Sequence, residues 1–168
     1  MNASVVIMGV SGCGKSSLAA GIAAAEQMTV IEGDDWHSPE NREKMRQGIA
    51  LTDADRVGWL ADLAQLLRSH PAGHVLTCSA LRRAYRDQLR QALPPPQPLR
   101  FVFLDLSREA AITRVTTRAA HYFSATLVDS QFATLESPAG ELGVLRADAL
   151  APLNQLQAEV SAWLRTAP

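Results

Sequence analysis

Gly9-Val10-Ser11-Gly12-Cys13-Gly14-Lys15-Ser16 follows the spacing Gly-x-x-x-x-Gly-Lys-Ser, and its residue types suit the holding of a phosphate chain. Glycines at 9, 12 and 14 let the backbone turn sharply, so that its N–H groups, those of Ser11 and Cys13 among them, approach phosphate oxygens. Lys15 is spaced to reach the β- and γ-phosphates, and the Ser16 hydroxyl to sit on Mg²⁺, with Ser17 next to it in the first helical turn. Such a loop works only between a strand and a helix. Val5-Val6-Ile7-Met8 upstream reads as a buried strand, and the stretch SSLAAGIAAA (16–25) downstream is rich in helix formers. An ordinary glycine turn needs no Lys-Ser pair at its end, so a nucleotide is the expected ligand, with Mg²⁺.

Further candidates lie at the ends of two other strands. Thr29 to Glu32 reads as a second strand that runs into Gly33-Asp34-Asp35. Asp34 is placed to hold an acceptor hydroxyl and take its proton, while Asp35 reads as a capping residue. His37 is either a hydrogen-bond partner for an acceptor or a satisfied structural histidine. Arg56 follows an acidic helix start and reads either as a local ion pair with Asp53 or Asp55 or as a ligand for an acceptor carboxylate, to which a guanidinium fork is suited. Arg82 and Arg83 follow the strand His74 to Cys78, and Arg82 is the one assigned to the acceptor. Arg86 and Arg90 are left to a solvated helix face. Arg114 and Arg118, four residues apart, share one helix face.

The elements that must position these groups alternate between strand and helix, the signature of a parallel sheet with crossover helices. Ser38-Pro39-Glu40 starts a short helix that Gly48 closes, and Thr52-Asp53-Ala54-Asp55 starts another with Trp59, Leu60, Leu63, Leu66 and Leu67 on one stripe. Leu81, Tyr85 and Leu89 form the apolar face of the next helix. Arg100 to Leu106 is a continuous apolar strand, Ser107 caps a helix to about Thr117, and Gly143 to Ala147 is a strand interrupted by Arg146. A last helix after Pro152 carries Leu153, Leu156, Val160, Trp163 and Leu164 inward. The expected fold is a single-domain α/β structure with a doubly wound five-stranded parallel sheet. Its ligands belong beyond the carboxyl ends of the strands.

Composition narrows the function. The 168 residues carry a formal net charge of −1, which argues against a general nucleic-acid binder. No run of 18 apolar residues is present and no membrane contact is expected. The N-terminus lacks a basic leader, and the two cysteines, Cys13 and Cys78, are too few for a disulfide framework, so the expected compartment is the cytoplasm. No Asn-Lys-x-Asp guanine signature occurs. The chain is short for a motor or an AAA-type ATPase, and its length suits a small-molecule kinase.

Several segments together resemble the gluconate kinases (gluconokinases) of the thermoresistant type, among the shikimate kinase-like and nucleoside-monophosphate kinase-like enzymes. They are MGVSGCGKS (8–16), GDDWHSPEN (33–41), EKMRQGIALTDADRVGWL (43–60), CSALRRAYRDQLR (78–90), RVTTRAAHYF (114–123) and QFATLESP (131–138). The resemblance implies transfer of a phosphoryl group from ATP to D-gluconate in a homodimeric enzyme. It further implies an acceptor-binding segment at about 36–60 and a small lid at about 118–126. Arg114 beside that lid and Arg118 in it would close on the triphosphate, Arg118 as the charge clamp, while His121, counted with the acceptor-binding residues, would with Phe123 seat the lid. Glu32 stands where the family has an aspartate that reaches Mg²⁺. Cys13 replaces a serine and Tyr122 a phenylalanine.

Overall fold

The computed structural model describes residues 3–93, 95–96, 98–117 and 124–166. Arg118, His121, Tyr122 and Phe123, which carry most of the expected lid, lie outside the described residues. The chain runs β1 (Val5–Met8), α1 (Lys15–Glu26), β2 (Thr29–Glu32), a 3₁₀ turn (Gly33–Trp36), α2 (Pro39–Arg46), α3 (Asp53–Ser69) and β3 (His74–Thr77). It continues through α4 (Arg83–Arg90), β4 (Arg100–Asp105), α5 (Arg108–Thr117), α6 (Ala125–Thr134), β5 (Val144–Asp148) and α7 (Leu153–Leu164).

All five expected strands pair in parallel, in the order β2-β3-β1-β4-β5. β1 is central, with Val5 opposite both Val75 of β3 and Arg100 of β4. From β1 the chain moves out to β2, returns to β3 beside β1, then crosses to β4 on the other side. That reversal opens a crevice at the carboxyl ends of β1, β3 and β4.

Alternation along the strands builds the two covered faces. Val5, Ile7, Val102 and Leu104 point to one side, where they meet Leu18 and Ile22 of α1, Val115 of α5 and Val160 of α7. Val6, Met8, Phe101 and Phe103 point to the other, against Trp59, Leu60, Leu63 and Leu67 of α3 and Tyr85 and Leu89 of α4. The α3 stripe therefore packs as its spacing predicts. Arg146, the interruption in β5, stays at the surface and donates to Asp105 of β4 at 2.8 Å, so the strand forms around it.

The structure departs from the sequence reading at Leu153, Arg86 and Arg90 and adds one helix. Leu153 is 44% exposed, because it opens α7 at the helix's solvent end, while Leu156 and Val160 are buried. α6 was not foreseen. Ser124 caps it, accepting from the Leu127 N–H at 3.4 Å, and Leu127 and Val128 bury its inner side. Arg86 is not on a solvated face but fully buried. Its Nε donates to both carboxylate oxygens of Glu141 at 3.2 and 3.1 Å, Nη1 to the carbonyls of Ala80 and Leu81, and Nη2 to that of Glu136. Arg90 is half-covered, lying over the Phe101 ring and donating to Glu141 as well.

Arg86 thus ties the loop after β3 to the segment after α6. Ala80 in that loop is held at φ 46°, in the left-handed region that a side chain disfavours, and the guanidinium on its carbonyl fixes it there. Burial alone would raise the Glu141 carboxyl, but hydrogen bonds from Arg86 and Arg90 hold it below its usual range. A carboxyl held low adds stability at neutral pH that is lost as acid takes the medium below about 4. Arg86→Ala leaves that carboxylate buried with half its partners and is expected to cost about 3–5 kcal/mol of unfolding free energy. Arg83, whose side chain is 70% exposed, should lose no more than about 0.5 kcal/mol on the same change. Urea denaturation of the two variants decides, and equal losses would contradict a buried clamp.

Candidate active site

The phosphate loop has the backbone that its glycines were expected to supply. Gly9, Gly12 and Gly14 take φ values of 146°, 82° and 96°. A Cβ on Gly9 would lie 2.8 Å from both Cys13 Sγ and the Leu104 carbonyl oxygen, so the turn has room only for glycine. Gly14 precedes α1 without a side-chain cap, and the first turn of α1 carries no acidic residue. The helix therefore presents open N–H groups and its positive end to the loop, an arrangement suited to an anion. The Cys13 side chain is buried in the core, and its sulfur accepts from Lys15 Nζ at 3.9 Å. Lys15 donates from Nζ to the carbonyls of Gly9 and Val10 at 3.1 Å each.

The fold brings Ser16 and Glu32 together. The Ser16 hydroxyl donates to Glu32 Oε2 at 3.0 Å. A further contributor, Thr77, was not singled out from the sequence: its hydroxyl donates to the same oxygen at 2.7 Å and accepts from the Gly33 N–H at 3.2 Å. Hydroxyl and carboxylate oxygens are the donors that Mg²⁺ takes, and this ion commonly keeps one or two protein ligands and fills the rest with phosphate and water. Among the described residues no group of three His, Cys, Asp or Glu gathers for a metal.

On the acceptor side the chain turns abruptly after β2. Gly33 sits so close to β3 that a Cβ would lie 2.1 Å from the Thr77 carbonyl oxygen. Trp59 donates from Nε1 to the Gly33 carbonyl at 2.7 Å, which fixes the turn from the α3 side. Asp34 then projects into solvent, its side chain 77% exposed, with His37 Nε2 3.8 Å from its carboxylate. His37 is buried and stacks on Trp59 at 4.1 Å. Burial lowers its pKa below the usual value, outweighing the opposite pull of Asp34, so the ring is neutral at pH 7. Ser38 caps α2 through the Asn41 N–H, and Asp35 offers the guanidinium of Arg42 its carbonyl. The cap of α2 is therefore Ser38.

Thr52 and Asp55 close a capping box at the start of α3. A hydrogen bond from Lys44, then one from the Thr52 backbone, holds the Asp55 carboxyl down at about 2. Arg56 does not form the local ion pair considered above. It is buried, donating to the Leu51 carbonyl at 2.8 Å and lying near the Tyr85 hydroxyl at 3.5 Å. Asp53 instead accepts from that hydroxyl and pairs with Arg82 at 3.4 Å. Arg83 faces Asp87, one turn along α4.

Lys15, Asp34, His37 and Arg56 line one cleft of about 40 Å³, together with Ser79 and Gln131. Arg82 stands outside its lining. Gln131, on α6, donates nothing to the loop but accepts the Ser11 N–H at 2.6 Å. The only sequence sign of it was its place in the segment 131–138. Arg114 donates to the carbonyls of Gly12 and Ala149, so it joins the phosphate loop to the segment after β5. Cys78 is buried, and burial pushes its thiol up to about 12, which makes it inert at neutral pH.

A family model described as an AAA domain matches residues 5–138, from β1 past α6. The separation from AAA-type ATPases drawn from chain length is corrected to that extent, since the matching model carries that description. The chain is 46% identical over 145 residues to the gluconokinase of Gluconobacter oxydans, across 84% of this chain and 80% of that protein. It is 45% identical over 142 residues to the probable gluconokinase of Schizosaccharomyces pombe, across 81% of this chain and 74% of that protein. The crystal structure of a gluconokinase from Sinorhizobium meliloti 1021 is similar with a TM-score of 0.88 and 44% identity, over 97% of this chain and 91% of that one. At these identities and coverages the chain belongs to the gluconokinases.

Proposed function

We propose that this protein transfers the γ-phosphoryl group of ATP to the 6-hydroxyl of D-gluconate, giving 6-phospho-D-gluconate and ADP. The observation that carries the reading is the cleft itself. It holds the phosphate loop and its lysine at one end and an exposed carboxylate, a neutral imidazole and a buried guanidinium at the other. An acceptor that fits must offer a hydroxyl to Asp34 and an anion to Arg56, as a sugar acid does.

In the reaction the acceptor oxygen forms a bond to the γ-phosphorus as the bond from that phosphorus to the bridging oxygen of ADP breaks. Asp34 holds the hydroxyl and takes its proton. His37, neutral, donates or accepts a hydrogen bond at a second hydroxyl, and Arg56 holds the carboxylate; Arg82, paired with Asp53 outside the cleft lining, would have to leave that pair to join it. The loop amides and Lys15 bind the phosphates, while Arg114 braces the loop. Ser16 and Glu32 would hold Mg²⁺, which neutralises phosphate charge in such sites. From the family resemblance, Arg118 clamps the developing charge and His121 seats a lid at about 118–126. The enzyme is then a cytoplasmic homodimer. No helix among the described residues is long and apolar enough to cross a membrane, and nucleic acid is no partner.

The test is turnover with ATP, Mg²⁺ and D-gluconate, read through 6-phosphogluconate itself, with shikimate and other sugar acids in parallel. Gluconate should give product. Asp34→Asn should slow turnover roughly 10²–10⁴-fold and Arg118→Ala roughly 10³–10⁵-fold. ADP release with another acceptor alone would reassign the substrate, and ATP binding without any acceptor-dependent ADP release would remove the enzyme.

His37 gives a pH prediction. Its folded pKa lies below the unfolded value of about 6.5, so as pH falls through that value the unfolded chain takes the proton first. Stability should therefore decline below about pH 6.5 until the folded value is passed. Melting temperatures from pH 8 to pH 5 should fall less steeply in His37→Gln, and an unchanged slope would show that the imidazole titrates freely.

A further inference from the structure

Gln131 lines the cleft and joins α6 to the phosphate loop. Its Oε1 accepts the Ser11 N–H at 2.6 Å, a contact spanning 120 positions in sequence. The donor is a backbone amide, so the amide oxygen must be the end that faces it, and the orientation of the side chain follows. Its Nε2 is then the end left to donate. Gln131 lines the same cleft as Asp34 and Arg56, with Ser130 and Leu127 of the same helix. It stands on α6, which packs against the helix that carries Arg114.

Ser11 borders the acceptor end of the loop, since it too lines the cleft with Asp34. The amide at that end is the one a terminal phosphate oxygen would take. One N–H cannot serve Gln131 and a phosphate oxygen at full strength together, and the charged acceptor makes the stronger bond. The exchange leaves the Gln131 carbonyl without its donor, and the side chain must turn. Its Nε2 can then reach a hydroxyl or a phosphoryl oxygen in the cleft.

We propose that Gln131 is a positioning residue that surrenders the Ser11 N–H to the terminal phosphate of ATP and thereby couples nucleotide binding to acceptor binding. The proposal rests on the kinase reading above. It requires that the effect depend on the third phosphate, because ADP leaves the Ser11 N–H to Gln131.

Calorimetry of the full chain with Mg²⁺ and either ADP or a non-hydrolysable ATP analogue tests the exchange without turnover. Gln131→Met keeps the length and removes the amide. It should bind the analogue about 2- to 10-fold more tightly, the worth of one competing hydrogen bond, and ADP unchanged. Gln131→Glu, whose carboxylate holds the N–H harder and repels phosphate, should bind the analogue at least about 10-fold more weakly. The ratio of gluconate affinities with and without the analogue should exceed one in the wild type and fall to one in Gln131→Met. In steady state that variant should raise KM for gluconate more than it lowers kcat. Weaker analogue binding in Gln131→Met, an equal change for ADP, or an unaltered affinity ratio would each overturn the proposal. Wild-type failure to bind gluconate would instead strike the substrate reading, and the nucleotide comparison would still decide the exchange.

Discussion

The Thr77 hydroxyl is the interaction on which both ends of the cleft depend. It accepts from the Gly33 N–H and donates to Glu32, and that same Glu32 oxygen receives the Ser16 hydroxyl. One side chain at the end of β3 therefore fixes the end of β2 on the acceptor side and the start of α1 on the phosphate side. The strands approach so closely here that Gly33 has no room for a Cβ, and the indole N–H of Trp59 secures its carbonyl. Asp34 follows directly, so the direction of the exposed carboxylate is set by backbone geometry that the neighbouring strand enforces.

Charge is distributed over this frame unevenly. Asp53 is occupied by Tyr85 and Arg82, and Asp55 by Lys44 and its own capping box. Among the described residues Arg56 donates to neutral oxygens, the Leu51 carbonyl and the Tyr85 hydroxyl. A buried guanidinium so placed would keep most of its attraction for an anion, as the proposed carboxylate role requires, because low dielectric strengthens the pair. The same guanidinium also opposes protonation of His37, which keeps the acceptor end free of a second full positive charge.

Much of this was legible in the sequence, and the parts that were not share a physical reason. The phosphate loop, the alternation of strands and helices and the α3 stripe depend on residues close together in the chain, so spacing alone displays them. Arg86 reads as a surface residue because its helix turn looks amphipathic, yet the carboxylate that makes its burial tolerable is Glu141, 55 positions away. Thr77 looks like any β-branched strand residue until β2 lies beside it. α6 is short, and what stabilises it is the Ser124 cap and burial against α5 rather than a strong periodic pattern. Gln131 sits in a segment quoted for its likeness to a family, but its partner is the Ser11 amide, 120 positions away in the chain.

The two ends of the cleft also differ in what holds them. The phosphate end rests on apolar packing, with Cys13, Leu18 and Ile22 in the core beneath the loop. α2, at the acceptor end, buries only Asn41. It is held by polar ties: Asn41 Nδ2 to the Asp55 carbonyl, Lys44 to the Asp55 carboxylate, and Arg42 to the carbonyls of His37 and Asp35. Segments with few buried apolar contacts open at lower free energy than core elements do. Triphosphate is the same in every such reaction and can be met by a rigid loop, whereas acceptors differ in length and in where their hydroxyls lie. If Asp34 and Arg56 hold the acceptor as proposed, a polar-tied α2 can adjust to one acceptor at small cost while the phosphate loop keeps its shape, and discrimination among acceptors would then fall to α2 and the turn that precedes it.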